Sequence, residues 1–233
     1  MITPQQKHVV DCIISIFETG KVPSPSAYSA CTVLADGAGI SYGKHQCTDK
    51  AGSLDLVVKK YIAKGGQHAY EIAEFLPQLA TNESTKVPPS GPHPHWLQSL
   101  MNLLRIAGAD PKMREAQDEV FDEHYFAPAA NMCKDMGLKH ALSWAVIYDT
   151  CIHSGPGMVA NMRKRFAASP PSRGGDEVLF IKQYLQARED WLKSNANPLV
   201  QKTVYRMDAF QILVDNNCWN LQTPLTVRGV KIA

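Results

Sequence analysis

Between Leu138 and Ile152 the chain reads LKHALSWAVIYDTCI, apolar around nearly its whole circumference if helical. A helix of that kind must be enclosed by others, so it predicts a central helix in a mainly helical protein. Its longest apolar run, Ala141 to Ile147, is far short of the roughly 20 residues a bilayer span needs, and no membrane role is expected. Ser154-Gly155-Pro156-Gly157 ends it.

Candidates for the enclosing helices lie on both sides in sequence. Thr3-Pro4-Gln5-Gln6 combines a capping Thr, a Pro suited to the first turn and a Gln at the capping-box position. Val9, Val10, Ile13, Ile14 and Phe17 then recur at helical spacing until Gly20. Ser53 to Ala63 has a plausible Ser cap, and His68 to Leu79 and Trp96 to Ile106 read the same way. Asp110-Pro111 caps a further helix that Pro128 should end or kink. Asp176 to Ser194 and Pro198 to Val214 complete the set, with Thr81 to Pro94 and Ser169 to Gly175 as irregular connections.

Only one region argues for strands. After the link Lys21 to Ser26, the segment Ala27 to Leu34 ends at Asp36-Gly37, a hairpin signal, and Ile40 to Gln46 can be the returning strand. The expectation is an α+β, mainly helical fold with a sheet of two or three strands beside the helices. A chain of 233 residues can bury one core, or one core and a smaller lobe, so a single domain of two lobes flanking a cleft is expected.

Composition removes several functions. A net charge of +2 gives no basis for a nucleic-acid role. Cys12, Cys31, Cys47, Cys133, Cys151 and Cys218 are scattered without zinc spacing and read as buried thiols. His93 and His95 lack a third ligand nearby, so neither a metal nor a cofactor is expected. The N-terminal residues do not follow the signal-peptide order, which predicts synthesis in the cytoplasm. The four Trp residues fall mostly on apolar helical faces, where packing is the default.

Two carboxyls stand out. Glu18 lies four residues after Ile14, on the apolar face of the first helix and in its last turn. Helix-end dipoles and burial would both disfavour its charge, which suits a proton donor. Asp36, in the Gly-rich stretch DGAGISYGKHQCTDKAGSL, should be surrounded by backbone N–H groups and solvent and stay ionised. Such a divergent pair is what glycoside hydrolysis requires. The plainer alternative is that Glu18 frays into solvent and Asp36 only makes an Asx-turn.

The segment FETGK, Asp36 eighteen positions after Glu18, and DGAGISYG together resemble the catalytic stretch of the glycoside hydrolase family 46 chitosanases, of the lysozyme-like superfamily. QDEVFDEHYFAPA, ALSWAVIYDTCIHSG, GDEVLFIKQYLQARED and YRMDAFQ continue the likeness in the family's order. The resemblance implies an endo-acting, inverting hydrolase of β-1,4-linked amino sugars. By position, Glu18 matches the acid and Asp36 the base. Ser41 replaces a Thr that helps hold the attacking water. Asp149, Arg188 and Arg206 match a buried charge network. Asp149 sits in a segment too apolar for an unpaired charge, which agrees with that. Tyr42, Lys44, His45 and Gln46 follow the base and are candidate sugar contacts, unless they alternate toward solvent.

Two departures bear on the substrate. Ala38 replaces a basic residue beside the base, and Ser53 stands where some of these chitosanases place an Asp that grips a substrate ammonium; nearby Asp49 or Asp55 could compensate, though the register does not show it. Chitosan is a polycation, so the loss favours peptidoglycan, an acidic β-1,4 amino-sugar polymer, as first expectation and chitosan as second. A wall hydrolase without an export signal would be released by phage lysis or injected as an antibacterial toxin, the latter with an immunity protein as possible partner. A non-catalytic glycan-binding module is the third reading. A monomer is expected.

Overall fold

The computed structural model describes residues 1–233. In chain order the elements begin with helix α1 (Pro4–Thr19) and strands β1 (Cys31–Leu34), β2 (Gly39–Tyr42) and β3 (Cys47–Thr48). Helices α2 (Ser53–Ala63), α3 (Ala69–Ala73), α4 (Leu76–Ala80), α5 (His95–Ala107) and α6 (Pro111–Phe121) follow. Then come α7 (Ala127–Asp135), α8 (Ala141–Ser154), α9 (Gly157–Arg163), α10 (Glu177–Lys193), α11 (Pro198–Gln201) and α12 (Tyr205–Asp215), and last β4 (Leu225–Val227) and β5 (Val230–Ile232). The chain forms two compact units, Met1–Val22 with Tyr125–Ala233, and Pro23–His124.

The first unit is built on α8. Every residue from Ala141 to Cys151 is buried, as its composition predicts, and α1, α7, α9, α10 and α12 pack around it. The Thr3 capping box forms in both directions, Thr3 Oγ1 taking the Gln6 N–H and Gln6 Oε1 taking the Thr3 N–H. The apolar stripe of α1 drives Phe17 edge-on against Phe210, centroids 5.2 Å apart. Full burial of such a ring contributes roughly 1.5–3 kcal/mol. A second sheet, the hairpin β4–β5, was not anticipated from the sequence. Its two-residue loop, Arg228-Gly229, has φ of 48° and 78°, which favours the tight primed turn, but its strands are only three residues long.

The second unit carries the three-stranded antiparallel sheet, in the order β1-β2-β3. Ile40 and Tyr42 of β2 enter a core with Leu54, Tyr61, Leu97, Leu104 and Met113. Strand β2 ends earlier than Gln46, because Gly43 turns the chain at φ 78°. A Cβ at Gly43 would lie 2.0 Å from Gln117 Oε1, so the turn can close against α6 only without a side chain. Gln117 then takes the Lys44 N–H at 3.1 Å and gives its own N–H to Tyr28 O at 3.0 Å.

Other differences are local. Residues Pro25–Ser29 form a 3-10 turn, so β1 is shorter than Ala27 to Leu34. The single helix expected over His68 to Leu79 is two, the second opening with Pro77 in its first turn. The cap of α2 is Gly52, and Ser53 is already helical. The helix expected to kink at Pro128 widens into a π-turn over Asp122–Phe126 just before it. All six cysteines are free, but Cys31 and Cys218 are only partly buried.

Candidate active site

Glu18 occupies the last turn of α1, and its side chain is 45% exposed. The burial expected of it is absent. What holds it is an ion pair, with Arg206 Nη2 donating to Glu18 Oε1 at 2.6 Å. Arg206 comes from the first turn of α12 and gives Nη1 to Asp149 Oδ1 at 2.7 Å. Arg188, from α10, gives Nη2 to Asp149 Oδ2 at 3.2 Å. Asp149 and Arg188 are 0% exposed. The three residues matched to a buried charge network therefore meet, and the network ends on Glu18.

Electrostatics around Arg206 are one-sided. Burial opposes its charge, yet the Asp149 and Glu18 carboxylates outweigh that and hold the guanidinium above its usual range. Oε2 of Glu18 makes no hydrogen bond within the protein, so one carboxyl oxygen is fixed and the other is open to a ligand. His153, not singled out from the sequence, lies one turn beyond Asp149 on α8 and bonds Ser154 Oγ through Nδ1 at 2.8 Å. Burial first, then Arg206 and Arg188, push its imidazole below the ordinary value. The i, i+4 relation to Asp149 was the signal available for it.

In the second unit, Asp36 sits in the exposed turn between β1 and β2. Its Oδ1 accepts the Ala38 N–H at 3.0 Å, an Asx-turn that leaves Oδ2 to solvent. Ser41 is 5% exposed in β2, opposite Thr32 and Thr48, and its hydroxyl has no partner within the protein.

Four other predicted contacts are engaged elsewhere. Tyr42 is fully buried and donates its hydroxyl to Leu104 O at 2.7 Å, so it is a core residue and not a sugar contact. Lys44 Nζ is 3.0 Å from Asp118 Oδ1, His45 Nε2 is 2.8 Å from the same oxygen, and Tyr28 donates to Oδ2 at 2.7 Å. The His45 ring also stacks on Phe121, centroids 3.9 Å apart. Burial works against the Asp118 charge, but these donors hold its carboxyl well below the usual range. Lys44 and His45 thus clamp the β2–β3 turn to α6. Ser53 Oγ accepts the Thr48 N–H at 3.0 Å, and of these residues only Gln46 is exposed. Neither Asp49 nor Asp55 is a free substitute for the missing acid, since Ser84 occupies one and Lys59 the other. No group of three His, Cys, Asp or Glu side chains is arranged to hold a metal.

Residues 12–225 match the family model of glycosyl hydrolase family 46. The chain belongs to this family. A chitosanase of Bacillus subtilis (strain 168) is 29% identical, over 98% of this chain and 83% of its own. A chitosanase of a Nocardioides species is 28% identical over 80% of this chain and 66% of its own. Among solved structures, the native chitosanase from Bacillus subtilis MY002 superposes with a TM-score of 0.75 at 27% identity, covering 98% of this chain and 96% of that one. The Gynuella sunshinyii family 46 chitosanase in complex with chitotetraose gives 0.74 at 27% identity, covering 100% and 98%. This family 46 protein is accordingly a glycoside hydrolase, endo-acting and of the chitosanase type. Its relatives are chitosanases, which reverses the order of substrates expected from the sequence.

Proposed function

We propose that this protein hydrolyses the β-1,4 bonds of chitosan with inversion, Glu18 acting as the acid and Asp36 as the base. The observation that carries the reading is Glu18 itself, an open carboxyl oxygen on a side chain fixed by a buried arginine, in a chain similar throughout to chitosanases. In the reaction, Glu18 gives its proton to the bridging oxygen while positive charge builds on the anomeric carbon. Asp36 takes a proton from water attacking the opposite face of the sugar, and the unpartnered Ser41 hydroxyl orients that water. Arg206 keeps Glu18 from turning away as its charge changes, because its own position is fixed by Asp149.

One observation favours a second reading, peptidoglycan. The carboxylate that would grip a sugar ammonium is missing at Ser53, and both acidic neighbours are already bonded within the protein. The test offers purified sacculi and partly deacetylated chitosan side by side, with mass spectrometry of the products. Chitosan oligomers support the first reading; muropeptides alone would replace it with the second. Glu18→Gln should abolish turnover of whichever polymer is cleaved.

A further inference from the structure

Asp49, in the second unit, is a buried carboxyl with no cation. It is 1% exposed, and no Lys, Arg or His pairs with it. Its Oδ2 accepts two hydrogen bonds from Ser84, from the N–H at 3.1 Å and the hydroxyl at 2.6 Å. Ser84 Oγ in turn accepts the Ile40 N–H at 2.9 Å, and the Asp49 N–H reaches Ile40 O at 3.1 Å. Both peptide groups of Ile40 are thereby held, one residue before Ser41. Gly39 lies under the same contact, where a Cβ would come within 2.3 Å of Ser84 Oγ.

The other oxygen, Asp49 Oδ1, is buried and has no partner. One more buried carboxyl oxygen shares that condition, Asp55 Oδ1 on α2. A buried acceptor without a partner is unfavourable, and an ionised, unpaired carboxylate in the interior more so.

We propose that Asp49 is a positioning residue for the reaction: its buried carboxyl, without a cation partner, locks Ser84 onto Ile40 and so fixes the segment from Asp36 to Ser41. The role in turnover rests on the function proposed above; the lock itself does not. The ionisable groups facing Asp49 are acidic. Burial, then Asp55 from α2 and Glu83 from the Glu83–Lys86 turn, raise its carboxyl above the ordinary value, against the hydrogen bonds from Ser84. Lys59 and Lys86 pair with those two acids and not with Asp49.

The test compares Asp49→Ala, Asp49→Asn and Ser84→Ala. Asn keeps an oxygen that can accept both bonds from Ser84 and carries no charge. Asp49→Ala and Ser84→Ala should each lower kcat on the cleaved polymer about tenfold or more with little change in KM, and Asp49→Asn should rescue most of that loss. A carboxyl raised on folding stabilises below its unfolded value and loses that contribution as pH rises through its folded value. Wild-type melting temperature should therefore fall over that upward range while Asp49→Asn stays flatter. Asp49→Asn as impaired as Asp49→Ala, or superposed stability curves, would each overturn the proposal. The stability curves need no substrate, so they stand even if Glu18→Gln were to retain turnover and remove the reaction itself.

Discussion

Asp149→Asn keeps the shape of the charge network and removes one negative charge from a place without water. Arg206 then keeps only Glu18 as a carboxylate partner, and Glu18 is 45% exposed at the edge of the cluster. Arg188 is left worst, being fully buried, with Asp149 as its ion-pair partner and with Nε and Nη1 already unpartnered. Removing one partner of a buried pair costs about 3–5 kcal/mol, far more than the pair itself contributes. The first unit has about 130 residues, which at about 2.1 cal/mol/K each gives an unfolding entropy near 0.27 kcal/mol/K. If that unit unfolds by itself, Tm should fall by about 11–18 °C, and by about 6–10 °C if the whole chain unfolds together. Scanning calorimetry reads the shift directly. Glu18→Gln is the control, because Glu18 is half exposed and Arg206 keeps Asp149, so the loss should be no more than about 1 kcal/mol and Tm should move by less than about 4 °C. An Asp149→Asn shift no larger than that of the control would mean the arginines find water or another acceptor, and the burial argument would be wrong.

The other expectations concern the proposed chemistry and the corrected contacts. Glu18→Gln should reduce turnover about a hundredfold or more while oligosaccharide still binds by titration calorimetry; near-normal turnover excludes it as the acid. Asp36→Asn should bring a comparable loss, and unchanged product formation would reassign the base. Tyr42→Phe should lower stability by about 1 kcal/mol and leave KM alone, since its hydroxyl serves Leu104 O; a raised KM would return it to the sugar. Asp118, depressed on folding, contributes stability above the unfolded carboxylate value and loses it as pH falls through its folded value. Asp118→Asn should therefore be less stable than wild type at neutral pH, with the gap closing in acid, as followed by circular dichroism.

The helical framework was legible because its signals were local and redundant. In α1 a capping box, a five-residue apolar stripe and a closing glycine agree, and in α8 no polar face exists to orient the helix any other way. The sheet was half legible, since Asp36-Gly37 marks the β1–β2 turn but nothing local says that Gly43 must end β2 against Gln117, seventy-odd residues on. The same distance explains the misread site residues. Lys44 and His45 look like free polar groups on a strand until Asp118 arrives from α6, and Ser53 looks like a cap until Thr48 takes its hydroxyl. Glu18 does lie in the last turn of α1, but its environment was misread, because helical phase puts it beside the apolar stripe and cannot foresee an arginine from α12.

Stability alone does not account for what that arginine does. A buried ion pair is often no better for folding than apolar side chains of the same volume, and here three buried guanidinium nitrogens go without partners. An apolar replacement for Arg206, Asp149 and Arg188 would keep α8, α10 and α12 packed, but it would leave Glu18 at the end of α1 with nothing to hold it. A single exposed glutamate samples several rotamers, whereas one tied at Oε1 presents Oε2 in one direction. The order of the network follows from that need. Arg188 fixes Asp149, Asp149 fixes Arg206, and Arg206 reaches from the interior to the one carboxyl the proposed reaction must aim.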